Sequence, residues 1–204
     1  MKLYYAPGAC SLSPHIALLE AGLPYDLVKV DLRAKKLENG DDFLAVNPKG
    51  QVPALALDSG ELVTEGPIIV QMIADKAGKG LAPARDSAER YKLLEWLNYI
   101  TTELHKNLGP MFSPVLKDDA KAFFKDRAMG KFKYLETALA GRDHLMGKEF
   151  TVADGYLFTM LMWATDRLGF DFSGMPNLTA YKARIAARPK VQEALTKEGL
   201  LKAA

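Results

Sequence analysis

The sequence predicts an α/β domain followed by an all-helical domain, because its character changes near residue 80. Before that point, short β-leaning runs alternate with helical stretches in the order β-α-β-α-β-β-α. Beyond it, long stretches carry apolar residues at helical spacing. The segment between them contains Gly78, Gly80 and Pro83, which break regular structure. We therefore predict domains at residues 1–77 and 87–204, joined by a linker at residues 78–86.

Turn-forming residues bound the elements of the first domain. The predicted strands span residues 3–5, 27–32, 53–57 and 61–64, and the predicted helices span residues 14–21, 41–46 and 66–77. Pro7-Gly8 stops the first strand, and Asp58-Ser59-Gly60 forms the turn between the last two. Ser13 and Pro14 are residue types preferred at the N-cap and at the first helical position, so we expect the first helix to begin there.

The second domain is predicted to be helical near residues 87–108, 119–140, 152–168 and 178–198. The last of these is expected to break at Arg188-Pro189, because a residue that precedes proline disfavours the helical conformation. Thr151 and Asp154 have the spacing of a capping box, and Phe150 lies where a hydrophobic staple would.

Composition and charge exclude several classes of protein. The chain has 204 residues, with 27 Lys and Arg against 25 Asp and Glu, a net charge of +2. No long block of one sign occurs, so the electrostatic footprint of a nucleic-acid-binding protein is missing. The longest apolar stretch, near residues 156–164, is about half of the ~20 residues that a membrane-spanning helix needs. We expect neither a nucleic-acid partner nor a membrane span.

The N-terminus, the cysteine and the histidines indicate the compartment of the protein and argue against a metal site. Pro7 and Gly8 interrupt the chain before the apolar core of a signal peptide can form, and a single cysteine allows no internal disulfide. Both observations favour the cytoplasm. The three histidines are scattered, with no second cysteine, so we expect no metal site. Glycine-rich phosphate loops and a Gly-x-Ser-x-Gly motif are absent, which argues against nucleotide binding and serine hydrolysis.

Cys10 is a candidate reactive residue because it lies between a predicted strand and the start of a predicted helix. Aligned peptide dipoles and unpaired N–H groups at a helix N-terminus favour an anion, so we expect a thiol pKa below that of a free cysteine. The alternative is a small buried hydrophobic residue, which a lone cysteine commonly is.

Two segments of the first domain are suited to a peptide-like ligand. If the Val52-Pro53 bond is cis, Val52 can offer its N–H and C=O to an extended peptide; a trans bond is the alternative, since cis is only ~5–6% of such bonds. In the second segment the N–H of Gly66 opens a helix and favours a ligand carboxylate, while Glu65 beside it can hold an ammonium group. Glu65 also fits a simpler role, in which it complements the dipole of its own helix.

The helix near residues 87–108 carries two stripes at helical spacing. The apolar stripe, which we assign to the core, consists of Leu93, Leu97, Ile100, Leu104 and Leu108. Asn98, Thr102 and His105 form a polar stripe on a flank of the same helix. Such a flank either lines a cleft or is simply solvated.

Five segments together resemble the bacterial beta-class glutathione S-transferases: residues 5–11, 47–55, 64–66, 102–106 and 150–154. The combination of Cys10 with His105 makes the resemblance specific to that class. It implies a thioredoxin-like N-terminal domain, an all-helical C-terminal domain that carries the electrophile pocket, and a homodimer. It also implies glutathione as co-substrate and a small hydrophobic electrophile as its reaction partner.

The resemblance implies a role for each site residue. Cys10 faces the sulfur of glutathione and is catalytic together with His105. Val52, followed by Pro53, pairs with the cysteinyl backbone, Glu65 and Gly66 take the γ-glutamyl end, and Lys35 lies near the glycine carboxylate. Further contacts, in part across the dimer interface, come from Asn98, Thr102, Glu103, Leu104, His105 and Lys106. Tyr5 lies where other transferase classes place a catalytic tyrosine, but its strand position favours a packed aromatic residue.

The leading functional hypothesis is conjugation of glutathione to small apolar electrophiles, with a second pocket built from residues such as Met111, Phe112 and Trp163. These three side chains are also typical core residues. An alternative is thiol–disulfide exchange or peroxide reduction through a mixed disulfide between Cys10 and glutathione. A further variant is dehalogenation. An alternative of another class is a non-catalytic carrier of hydrophobic ligands, or an interaction protein, with the same fold.

Overall fold

A computed structural model describes residues 1–201, and the chain separates into two compact units. The first contains residues 1–82 together with the chain from Arg188 onward, and the second contains residues 83–187. The boundary between Ala82 and Pro83 lies inside the predicted linker. The predicted domain 87–204 therefore differs from the observed unit at its C-terminal end. The segment after Arg188 packs on the first helix of the chain, a contact between distant parts of the sequence that local patterns do not reveal.

The first unit contains the predicted elements in the predicted order, together with one strand that the sequence did not predict. These are β1 (Lys2–Tyr5), α1 (Leu12–Ala21), β2 (Asp26–Asp31), β3 (Lys36–Leu37), α2 (Phe43–Val46), β4 (Ala54–Ala56), β5 (Leu62–Thr64) and α3 (Gly66–Ala77). The five strands pair in the order β3-β2-β1-β4-β5. Strand β1 is parallel to β2 and antiparallel to β4, so Leu3 lies between Leu27 and Leu55. This is the thioredoxin-like α/β arrangement, with the two-residue strand β3 as an addition.

Helix α1 begins at Leu12, two residues before the predicted start. Two successive turns precede the helix, since the N–H of Ala9 donates to the carbonyl of Ala6 and the N–H of Leu12 donates to the carbonyl of Ala9. These turns allow the helix to begin before Ser13. Ser11 is the N-cap residue, and the expectation that Ser13 caps the helix is wrong. Pro14 still falls in the first turn, where a missing N–H removes no intrahelical bond.

The helix that closes the first unit is α9 (Pro189–Lys197), which begins at the predicted break. Arg188 is extended, with φ −66° and ψ 132°, as the following proline requires. The buried face of α9 consists of Val191, Ala194 and Leu195. The guanidinium of Arg188 donates two hydrogen bonds to Glu20 of α1, over 2.7 and 3.0 Å. Apolar burial and this bidentate pair together join α9 to α1.

The second unit is helical. Its elements are α4 (Ala88–Tyr99), a π-helical segment (Ile100–His105), α5 (Lys106–Leu108), a 3-10 turn (Gly109–Phe112), α6 (Asp118–Ala138), α7 (Val152–Met162), a second π-helical segment (Trp163–Arg167) and α8 (Pro176–Ala186). The predicted apolar stripe from Leu93 to Leu108 is confirmed, since none of its five members is more than 1% exposed. Among residues 1–201, no helix has both the length and the apolar character needed to cross a membrane.

The core of the second unit is built around α7, whose eleven residues are all buried. The predicted capping box is present: the N–H of Thr151 donates to Oδ2 of Asp154 over 2.8 Å. The other carboxylate oxygen of Asp154 accepts from the N–H of Leu145 and from the hydroxyl of Tyr181, over 2.8 and 2.7 Å. The carboxylate is fully buried, and these hydrogen bonds offset the free-energy cost of removing it from water.

Candidate functional site

Cys10 occupies the loop between β1 and α1. Its Sγ lies 3.2 Å from the carbonyl oxygen of Val52, to which the thiol donates a hydrogen bond. Cys10 keeps part of its surface exposed, while protein atoms fill most of the space around its sulfur. The backbone N–H groups of Cys10 and Ser11 also approach the sulfur, as the start of a helix allows. The structure therefore brings Cys10 to Val52, a residue 42 positions away along the chain.

The thiol of Cys10 is not acidic in this ligand-free protein, so the prediction of a lowered pKa is wrong. Burial raises the pKa of Cys10 to about 12, and the charge of Glu65 acts in the same direction. The N–H groups of Cys10 and Ser11 lower this pKa, but by less than burial raises it. The helix terminus thus acts as expected, and desolvation of the thiolate outweighs it.

The loop of residues 47–53 presents Val52 in the way that the sequence suggested. The Val52-Pro53 peptide bond is cis. The carbonyl of Val52 accepts from Cys10, whereas its N–H has no protein acceptor within residues 1–201. The side chain of Asn47 donates to the carbonyl of Gln51 over 2.8 Å and holds the loop closed. An extended peptide can therefore pair with the N–H of Val52 without breaking an existing bond.

Glu65 and Gly66 form the junction between β5 and α3. Glu65 has a positive φ of 68°, a conformation that non-glycine residues adopt rarely and that concentrates at functional sites. Its side chain makes no capping hydrogen bond to its own helix; Oε1 instead accepts from Nζ of Lys49 over 2.8 Å. The carboxylate of Glu65 therefore pairs with Lys49 and does not take up the N–H groups at the start of α3, which begins at Gly66.

Lys35 and Lys49 bring positive charge to the same loop. Lys35, with a φ of 56°, donates from Nζ to the carbonyl of Gly50 over 2.7 Å. Lys49 belongs to the loop itself and bonds Glu65. The six site residues predicted in the first domain, Cys10, Lys35, Val52, Pro53, Glu65 and Gly66, thus surround or belong to one loop. Sequence reasoning missed Lys49, although its position between Pro48 and Gly50 in the loop was a usable signal.

The predicted site residues of the second unit divide into three groups. Asn98, Thr102 and Lys106 are exposed, and the hydroxyl of Thr102 donates to the carbonyl of Asn98 over 3.1 Å. The second group, Glu103 and Leu104, is less exposed. Glu103 forms an ion pair of 2.7 Å with Lys131, which lowers the pKa of its carboxyl. Leu104 is fully buried, so its side chain supports the core and has no surface to offer a ligand.

His105 forms the third group and lies in an aromatic cluster. Its Nδ1 is 2.7 Å from the hydroxyl of Tyr156, and its ring packs edge-on against Trp163 at 5.0 Å between centroids. Trp163 in turn packs edge-on against Phe112, also at 5.0 Å. Trp163 and Met111 are buried, whereas Phe112 is 44% exposed. Sequence reasoning missed Tyr156, although a tyrosine in a helix with many apolar residues indicates a hydroxyl that needs a partner.

Tyr5 is a buried aromatic residue of β1, as predicted. Burial and the negative charges of Glu198 and Glu38 raise the pKa of its phenol, which disfavours a phenolate. In the described part of the chain, no group of three His, Cys, Asp or Glu residues is arranged to hold a metal ion.

Comparisons with known proteins give one family for both units. The family model described as the N-terminal domain of glutathione S-transferase matches residues 8–76, and the model of the C-terminal domain matches residues 102–198. Glutathione S-transferase GstA of Escherichia coli O157:H7 is 50% identical over 98% of this chain and its own full length. A beta-class glutathione S-transferase of Sphingomonas chungbukensis superposes with a TM-score of 0.95 at 50% identity, over 98% of this chain and all of its own. A sphingomonad glutathione S-transferase solved with glutathione gives 0.94 at 50% identity, with the same coverage.

Proposed function

The chain belongs to the glutathione S-transferase family, in its bacterial beta class, and from that premise we propose how its residues bind and activate glutathione. It is a glutathione transferase, with glutathione as co-substrate. The observation that carries the proposal is the grouping of Cys10, Val52 and Glu65 around the loop of residues 47–53. The Cys10–Val52 bond of 3.2 Å and the Lys49–Glu65 bond of 2.8 Å support this grouping.

Glutathione is a peptide with charges at both ends, and each has a counterpart around the loop. Its cysteinyl unit pairs with the backbone of Val52, as a strand would. The ammonium group of the γ-glutamyl end binds Glu65, and its carboxylate binds the N–H of Gly66 at the start of α3. The glycine carboxylate is held by Lys35. This arrangement places the sulfur of glutathione beside Cys10.

Cys10 acts in conjugation as a hydrogen-bond donor rather than as a base. With its raised pKa, Cys10 is a thiol at neutral pH. When glutathione pairs with the backbone of Val52, the S–H of Cys10 turns from the carbonyl of Val52 to the glutathione thiolate, to which the N–H groups at the start of α1 also donate. Bound glutathione loses its thiol proton to solvent, and its thiolate attacks the electrophile, forms the carbon–sulfur bond and expels the leaving group. Stabilising the thiolate raises the fraction of bound glutathione that can react.

Cys10 also takes part in a slower exchange. Its thiolate attacks one sulfur of oxidised glutathione, which breaks that disulfide, forms a Cys10–glutathione mixed disulfide and releases one glutathione thiolate. The raised pKa of Cys10 in the ligand-free protein lowers the fraction of Cys10 thiolate that this exchange and the related peroxidase activity need, whereas conjugation uses the thiolate of glutathione.

The second unit contributes the site for the electrophile. The exposed face of Phe112, with Trp163, Met111 and His105 behind it, provides a permissive apolar surface. Asn98, Thr102, Glu103 and Lys106 supply polar contacts to glutathione, in part across the interface of a homodimer. We place the enzyme in the cytoplasm, since its one cysteine forms no internal disulfide.

Retention on immobilised glutathione, followed by a conjugation assay with a chloronitrobenzene, tests the proposal. We expect specific retention, elution by free glutathione and turnover that saturates with glutathione. Retention without turnover would instead support the hydrophobic-ligand carrier. Turnover of oxidised glutathione or of peroxide without conjugation would support the exchange enzyme.

A further inference from the structure

A buried carboxylate in the first unit holds the loop that carries Cys10. Glu198 follows α9, and its side chain is fully buried. Its Oε2 accepts a hydrogen bond of 2.8 Å from the backbone N–H of Gly8. Its Oε1 lies 2.8 Å from Nδ1 of His15. One carboxylate therefore contacts the chain two residues before Cys10 and five residues after it.

The partners of Glu198 are themselves fixed. His15 is fully buried in α1, and its Nε2 lies 2.9 Å from the hydroxyl of Tyr25. All of these groups are satisfied if Nδ1 of His15 donates to Glu198 and Nε2 of His15 accepts from the hydroxyl of Tyr25. Gly8 has a φ of 68°, a left-handed conformation that directs the chain from β1 toward Cys10.

We propose that Glu198 is a positioning residue for Cys10, because it fixes both sides of the loop and thereby aligns Sγ with the carbonyl of Val52. Burying a carboxylate is a costly way to join α9 to the rest of the unit, since an apolar residue of similar volume can serve stability as well. What an apolar residue cannot do is accept the N–H of Gly8. The inference deepens the proposed function and depends on it for the consequence in catalysis.

The chain offers a matched control for this role. Arg188 and Glu20 form a second polar tie between α9 and α1, with bonds of 2.7 and 3.0 Å. Glu20 lies near the C-terminal end of α1, whereas Cys10 precedes its N-terminus. Loss of Glu20 should therefore loosen α9 without releasing the Cys10 loop.

The test is the rate at which iodoacetamide alkylates Cys10 in the ligand-free protein at pH 8, compared among wild type, Glu198→Ala and Glu20→Ala. Cys10 is the one cysteine of the chain, so the signal has a single source. Release of Sγ from Val52 and from its buried setting should raise the thiolate fraction, and we expect Glu198→Ala to react ~10-fold faster. Glu20→Ala should react within about twofold of wild type. The KM for glutathione should rise in Glu198→Ala alone.

A second variant keeps the test decisive if Glu198→Ala does not fold. Glu198→Asp retains the charge but is one methylene shorter, so it cannot reach both Gly8 and His15, and we expect ~3-fold faster alkylation. Alkylation at the wild-type rate in a folded Glu198 variant would overturn the proposal. The proposal would also be overturned if Glu20→Ala, with the same midpoint of unfolding as the Glu198 variant, accelerated the alkylation of Cys10 as much as that variant does. Because alkylation needs no glutathione, it tests positioning even if conjugation activity is absent.

Discussion

The raised pKa of Cys10 makes a quantitative prediction about its reactivity. Burial raises this pKa from an ordinary value of 9.0 to about 12, three units, so the thiolate fraction at pH 7.5 falls about 1,000-fold relative to the unfolded chain. A more basic thiolate is more nucleophilic, with a Brønsted coefficient of ~0.4–0.5, which restores about 20-fold. The net expectation is that iodoacetamide alkylates the folded protein ~50-fold more slowly than the unfolded protein.

The assay measures the second-order rate constant of alkylation from pH 6 to pH 11, in buffer and in denaturant. The folded protein should show a rate that still rises at pH 10, because the raised pKa lies above that value, whereas the unfolded chain should level off near its ordinary pKa. A Cys10→Ala protein gives the background. An inflection below pH 9 in the folded protein, or a rate equal to that of the unfolded chain, would refute the reasoning that desolvation outweighs the helix terminus.

Two further substitutions test binding and stability separately. Glu65→Ala should weaken glutathione binding by ~1–3 kcal/mol through the lost charge-assisted bond and leave the melting temperature unchanged, as calorimetry and thermal unfolding can show. Lys49→Ala is its control, because the carboxylate of Glu65 remains; a fall in melting temperature without loss of affinity would make Glu65 structural. Asp154→Ala should cost ~3 kcal/mol or more in chemical unfolding, since four buried donors lose their acceptor. A loss below ~1 kcal/mol in the free energy of unfolding would contradict the conclusion that the buried Asp154 carboxylate is important for stability.

Most of the fold could be predicted because it depends on local periodicity and on breakers. The stripe from Leu93 to Leu108 repeats at helical spacing, and all five residues are buried as a result. The predicted break at Arg188-Pro189 is present, because a residue before proline disfavours the helical conformation, and α9 begins at Pro189. Strand β3 has only two residues, too few to form a pattern, and it was missed for that reason.

The candidate site could be predicted in its residue types but not in its electrostatics. The loop of residues 47–53 was visible because a proline opens a strand, and the cis bond that would turn Val52 outward could be suggested from that position. The pKa of Cys10 depends on burial by residues distant in sequence, which no local pattern reports. Glu198 illustrates the same limit, since it contacts Gly8 across 190 positions. The predicted polar stripe divides, because Asn98 and Thr102 are exposed whereas His105 packs on Tyr156 of α7, a contact that the pattern of one helix does not report.

The central claim is that Cys10 supports the glutathione sulfur as a donor and is itself the nucleophile only in disulfide exchange. The most direct test is to measure conjugation and exchange side by side in wild type and Cys10→Ala. Exchange should be abolished in the variant, while measurable conjugation should remain because the N–H groups at the start of α1 still donate to the glutathione thiolate. Complete loss of both activities in Cys10→Ala, with glutathione affinity unchanged, would contradict the account and make Cys10 obligatory for conjugation.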